Sequence, residues 1–136
     1  MNIFLEPGTK APERAHETDA GMDLFARTDT LVPAHGSAVF RTGVHIELPH
    51  CTVGLLKSKS GLNVLHDIVG EGVIDEGYSG EIVVKLYNHG DRDYWVREND
   101  KISQLLVLPV RYERVNVVDS VSGGERGNRG FGSTGR

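Results

Sequence analysis

Along most of the chain apolar and polar residues alternate with period two, the repeat of a strand that buries one face. The clearest case is residues 81–88, where Ile82, Val84 and Leu86 share one face and Val83, Lys85 and Tyr87 share the other. Residues 52–56, 101–109 and 113–118 repeat the pattern and are predicted as strands. Between these runs lie clusters of Gly, Asp, Asn, Ser and His, at residues 34–36, 76–80 and 89–91, the residue types that form tight turns. Only residues 60–65 could hold a helical turn or two. Many short strands separated in this way predict a mainly β domain, an antiparallel sandwich or barrel.

Composition narrows the class. The chain has 136 residues and a mass of 14.9 kDa, enough for one compact domain. With 38% apolar and 25% charged residues it is too hydrophobic for a disordered chain. A net charge of −4 argues against general nucleic-acid binding, which needs clustered cations. No apolar run approaches the roughly 20 residues that span a bilayer, and residues 1–7 lack the basic start and apolar core of a secretory signal. Cys51 is the lone cysteine, so no intrachain disulfide forms and a reducing compartment is favoured. A cytoplasmic location is expected, or a nuclear one in a eukaryotic or viral setting. Six of the 17 glycines fall between residues 120 and 136. Ordering glycine carries a high entropic cost, so the expected organisation is a β body over residues 1–119 and a flexible Gly-rich C-terminal arm over residues 120–136.

Few motifs carry chemistry on their own. The histidines at positions 16, 35, 45, 50, 66 and 89 show no i, i+4 pairing, and with one cysteine they do not form a zinc set. No G-x-S-x-G elbow supports acyl transfer. Residues 130–135 (GFGSTG) fit G-x-G-x-x-G by letter, but no strand leads into them, which removes the dinucleotide-binding reading. What remains is a glycine-rich stretch with Ser133, Thr134 and flanking arginines, whose backbone N–H groups can wrap anionic oxygens. Phe131, set between glycines, argues for a use beyond a solvated terminus. Three further segments place charge on turns. Residues 20–24 (AGMDL) set Asp23 between apolar neighbours, and residues 58–62 (SKSGL) offer hydroxyls and a cation at a helix start. Residues 72–78 (GVIDEGY) put Asp75 directly after an apolar run, with an aromatic three residues on; an ordinary tight turn at 75–77 is the plain alternative.

In this order the segments resemble the five motifs of the trimeric dUTPase family. Residues 20–26 (AGMDLFA) resemble the first, 57–62 (KSKSGL) the second, 72–80 (GVIDEGYSG) the third, 100–105 (DKISQL) the fourth and 126–135 (RGNRGFGSTG) the fifth. The resemblance implies a distorted jelly roll, a homotrimer whose sites are shared between subunits, and Mg²⁺-dependent hydrolysis of dUTP to dUMP and pyrophosphate. That reaction keeps uracil out of DNA and supplies dUMP for thymidylate synthesis. By the same resemblance Asp75 is the catalytic residue, activating a water that attacks the α-phosphorus and touching the 3′-hydroxyl. Tyr78 lies against the deoxyribose and leaves no room for a 2′-hydroxyl. Gly72, Val73, Ile74 and Val83 frame the uracil. Lys59, Ser60, Gly61, Gln104 and Arg126 hold phosphate oxygens. Phe131 stacks over the base as the arm closes, with Gly132, Ser133 and Thr134 beside the γ-phosphate. Mg²⁺ binds chiefly to the phosphates, and Asp23 is at most a water-mediated partner.

The chain departs from the family pattern at two places. Lys59 stands where arginine is usual in the second motif, and Asn99, Asp100 and Lys101 stand where Gly-x-Arg is usual in the fourth. Lysine is a point charge and does not make the two-pronged phosphate contact of a guanidinium, so Ser60 and Gln104 rank above Lys59 and Lys101 as ligands. Two alternatives stand beside this reading. One is a dCTP deaminase on the same fold, which needs a glutamate near the base that cannot be placed here. The other is a nucleotide-gated regulatory module with a protein partner. Neither nucleic acid nor membrane is an expected partner.

Overall fold

The computed structural model describes residues 1–125 and 127–129. Ten strands and one short helix follow in chain order: β1 (Asn2–Leu5), β2 (Met22–Phe25), β3 (Thr30–Val32), β4 (Ser37–Glu47), β5 (Thr52–Lys57), α1 (Ser60–His66), β6 (Ile68–Val69), β7 (Gly72–Ile74), β8 (Glu81–Asn88), β9 (Tyr94–Val96) and β10 (Lys101–Pro109). They form two four-stranded antiparallel sheets, β1-β4-β8-β6 and β2-β10-β5-β7, and a two-stranded ribbon, β3-β9. The mainly β reading holds, in the jelly-roll-like arrangement expected.

The alternation seen in residues 81–88 is realised in β8: Ile82, Val84 and Leu86 are buried, while Val83, Lys85 and Tyr87 are exposed. Ile82, Val84 and Leu86 join Leu24, Val32, Val44, Ile68, Val96, Ile102 and Leu105 in one continuous core. Burial of each such side chain is worth about 1.5–3 kcal/mol. The core draws on both large sheets, so the turns at the strand ends sit on a firm base.

Two irregularities matter for the site. β4 is long but loses register against β8 between Arg41 and His45, around Gly43, whose φ of +69° suits glycine. β10 slips against β2 between Lys101 and Ser103. A bulge of this kind re-aims the side chains beside it.

The strand predicted at residues 113–118 is absent. After Pro109 the chain runs without strand or helix, and Val115 and Val117 are exposed at 93% and 91%. Alternation marks a chain able to pair, but pairing needs an open sheet edge, and among the described residues none takes it up. The predicted strands 52–56 and 101–109 are found as β5 and β10, β5 one residue longer, and the helical turn at 60–65 is α1, also longer by one. Among the described residues no helix is long and apolar enough to cross a membrane.

Candidate active site

The described site residues fall into two groups along β5, one around Asp23 and one running from β7 to the Asp75 turn. The first surrounds Asp23. This residue lies on β2 between the core residues Met22 and Leu24, so its side chain leaves the strand on the other face, and it is only 5% exposed. A buried carboxylate needs opposite charge. Two ammonium groups supply it: Lys59 Nζ lies 2.5 Å from Oδ1 and Lys101 Nζ 2.7 Å from Oδ2. Lys101 reaches Asp23 from beside the β10 bulge. Burial pushes the Asp23 carboxyl up, but hydrogen bonds from Lys101 and Lys59 outweigh it and hold the group below the ordinary aspartate value. The same pairing pushes the Lys101 ammonium up.

Gln104 faces Asp23 across one strand pair and Lys57 across the other. Its Nε2 donates to the Ser58 carbonyl at 3.1 Å, which ties β10 to the segment carrying Lys59 and Ser60. Gly21 makes room for it, since a Cβ there would lie 2.8 Å from Gln104 Oε1. Ser60 and Gly61 open α1 and are exposed. The structure therefore brings Asp23, Lys59, Ser60, Gly61 and Gln104 into one neighbourhood.

The second group lies on the turn between β7 and β8. Gly72, Val73 and Ile74 make up β7, with Ile74 buried and Val73 exposed. Asp75 follows at once and is exposed, and among the described residues its carboxylate has no hydrogen-bond or ion-pair partner. The Tyr78 N–H donates to the Asp75 carbonyl at 3.1 Å, and Gly77 takes a φ of +86°. That is the type II turn, which needs a positive φ at its third residue. Tyr78 Oη donates to the Glu81 carbonyl at 3.0 Å, so the ring lies across the hairpin. A Cβ on Gly80 would be 2.6 Å from Tyr78 Cζ, so this glycine is what lets the ring lie there. Val83 projects outward from β8 nearby in sequence.

The hairpin is held from several sides. His45 Nδ1 bonds the Ser79 carbonyl at 3.0 Å. The Glu81 carboxylate accepts from Arg41 Nε at 2.6 Å and from the Gly43 N–H at 2.7 Å. Glu76 has three partners, described below. Residue types alone did not single out Glu76 or Glu81, because a glutamate in or beside a turn is commonplace. Lys101 was set aside for lacking the guanidinium fork, whereas the bulge gives it an internal partner.

Within one chain Asp75 stands apart from Lys59, although Gly72, paired with Leu56, lies near the Lys57 end of β5. Ile74 pairs with Gly54, and Gly54 to Lys57 already spans about 10 Å of strand before Lys59 begins. The remaining expected residues, Arg126, Phe131, Gly132, Ser133 and Thr134, lie outside the described residues. As to a metal, both oxygens of Asp23 face ammonium groups, so a cation bound directly there would meet like charge. Among the described residues no three His, Cys, Asp or Glu side chains converge into a metal site.

Comparison with known proteins agrees with this architecture. The family model described as dUTPase matches residues 8–135. The deoxyuridine 5′-triphosphate nucleotidohydrolase of Clostridium acetobutylicum is 43% identical over 127 residues, 91% of this chain and 88% of its own length. That of Clostridium tetani is 38% identical over 136 residues, covering 98% and 94%. The dUTPase of Staphylococcus bacteriophage 80alpha, solved with dUpNHpp, superposes with a TM-score of 0.93 at 28% identity, covering 99% of this chain and 98% of that one. A variant dUTPase from phage phi11 of S. aureus, whose structure shows the coordination of a structural Mg(II) ion, superposes with a TM-score of 0.82 at 26% identity, covering 90% and 98%.

Proposed function

This chain belongs to the dUTPase family, and from that premise we propose that it hydrolyses dUTP to dUMP and pyrophosphate. The deaminase alternative gives way, since the named relatives are nucleotidohydrolases. The observation that carries the mechanism is the exposed Asp75 carboxylate, without a partner among the described residues, on a hairpin braced at Glu76, Ser79 and Glu81. A carboxylate free to accept a proton, on a fixed backbone, is what general-base catalysis asks for.

In this reading Asp75 takes a proton from a water as the water oxygen forms a bond to the α-phosphorus. The bond from that phosphorus to the bridging oxygen breaks, and pyrophosphate leaves. Tyr78, laid across Gly80, presses on the deoxyribose and rejects a 2′-hydroxyl. Gly72, Val73, Ile74 and Val83 frame the uracil. Lys59, Ser60, Gly61 and Gln104 receive the phosphates, with Asp23 keeping the lysine ammonium in place until the substrate arrives. Residues 126–135 close over the nucleotide: Arg126, Ser133 and Thr134, with the Gly132 backbone, at the phosphates, and Phe131 on the base. In this organisation residues 1–119 are the body and 120–136 the arm. Mg²⁺ enters on the triphosphate as part of the substrate, in keeping with two lysines at Asp23.

The separation of Asp75 from Lys59 along β5 supports a site completed by another copy of the chain. We therefore assign a homotrimer, placed in the cytoplasm. Light scattering coupled to gel filtration tests the trimer, and a monomer that turns over dUTP at full rate would refute it.

The function is tested by pyrophosphate release from dUTP, UTP, dTTP and dCTP with Mg²⁺. dUTP should be preferred over UTP by about 100-fold or more, the range that steric and hydrogen-bond rejection reaches. Ammonia from dCTP, or no pyrophosphate from dUTP, would overturn the assignment.

A further inference from the structure

Asp75 is exposed and has no partner among the described residues, yet a base must sit where the water is. What fixes it comes from the next residue. Glu76 occupies the second position of the type II turn, and its side chain points back to the body of the protein. Its Oε1 lies 2.7 Å from His50 Nδ1. Its Oε2 accepts the Cys51 N–H at 2.8 Å and the Tyr112 hydroxyl at 2.5 Å. One carboxylate thus joins three segments: the Asp75 turn, the turn between β4 and β5, and the stretch where the chain leaves β10.

The two other segments are themselves linked. Cys51 adopts a φ of +57°, and its carbonyl accepts the Val110 N–H at 2.9 Å. The junction is therefore closed: Val110 holds the turn that holds Glu76, and Tyr112 holds Glu76 itself. Tyr112, His50 and Cys51 together keep the Glu76 carboxyl ionised down to about 2, and Glu76 pushes the Tyr112 phenol up to about 12.

We propose that Glu76 is a positioning residue for Asp75, and that Tyr112 is its anchor on the segment leading to the C-terminal arm. Asp75 and Glu76 share a peptide plane, so anchoring the Glu76 side chain sets the direction from which the Asp75 carboxylate leaves the backbone. Displacement of a reacting group by about 1 Å is enough to cost up to about 100-fold in rate. The inference rests on the reading of Asp75 as the base.

The test is steady-state pyrophosphate release by the full chain and its variants, with thermal melts alongside. E76Q keeps the shape of the side chain and loses its charge. Its kcat should fall about 10-fold with KM for dUTP within about twofold of the parent, a split that loosened packing alone would not produce. Y112F should lower kcat about threefold, and E76Q/Y112F should be no slower than E76Q, because both remove the same contact. Near-parent kcat for E76Q beside an inactive D75N overturns the inference and leaves the base standing. A fully active D75N instead removes the base, and the inference with it. Should E76Q fail to fold, Y112F decides alone: a threefold loss supports the anchor, and an unchanged kcat overturns it.

Discussion

At one end of β5 a carboxylate is sealed between two ammonium groups, and at the other a carboxylate on a turn has no partner among the described residues. Asp23 is fixed by its own contacts, each oxygen matched by a lysine. Asp75 is fixed only by its neighbours, through Glu76, the Ser79 carbonyl and the Glu81 side chain. The first arrangement commits two ammonium groups to one carboxylate and contributes to folding. The second leaves a proton acceptor uncommitted, which suits chemistry and contributes little to stability. The comparison teaches that a carboxylate kept free for a reaction needs its rigidity supplied from outside.

The sharpest test is to neutralise each acid in turn. D75N should lower kcat by about 10³-fold, within the span of general-base catalysis, while calorimetry still detects binding of a non-hydrolysable dUTP analogue. Its urea unfolding should match the parent to within about 0.5 kcal/mol, as for exposed sites. D23N should do the reverse in folding, costing about 2 kcal/mol by urea unfolding, because a hydrogen bond to a charged partner is worth that much. If D75N destabilises as much as D23N, the contrast between the two ends is false.

A smaller effect should follow at the hairpin. G80A would place a methyl carbon 2.6 Å from Tyr78 Cζ, so the ring must shift. The preference for dUTP over UTP should drop about 10-fold, from the magnitude of a lost steric wall, with kcat for dUTP less affected. An unchanged preference in competition assays would detach Tyr78 from sugar selection.

The smallest effect expected is on pH dependence, and it has opposite signs at the two ends. The Ser79 carbonyl, with Glu6 and Glu81 nearby, raises His45 above its usual 6.5 despite partial desolvation. A raised histidine contributes fully below 6.5, and the contribution is lost as pH climbs through its folded value. Asp23 is lowered below 3.8, so its contribution is present above 3.8 and is lost as pH falls through its folded value. Melting profiles of the parent and H45Q should therefore differ most below pH 6.5 and converge only as pH climbs through the raised folded value of His45. Convergence on the acid side instead would reverse the assignment.

Much of this was legible in the chain. β8 and β10 follow from alternation and α1 from its hydroxyl and glycine start, while the acids at 23 and 75 stand out by their apolar surroundings. The short strands β3, β6, β7 and β9, of two or three residues each, carry too little periodicity to see. β4 hides because Gly43 and its register shift interrupt the repeat. Residues 113–118 mislead for the opposite reason, a sound pattern that pairs with no strand among the described residues. Glu76 and Lys101 were missed as contact residues because their partners, Tyr112 and Asp23, are far away in sequence and are reached only through a closed turn and a bulge.

The length of β5 between the halves has a genetic corollary. On the proposed shared site, a chain crippled at Asp75 and a chain crippled at Lys59 and Ser60 would each retain the part the other has lost. Unfolded together and reassembled, they should regain part of the lost turnover in mixed particles, whereas either alone stays silent.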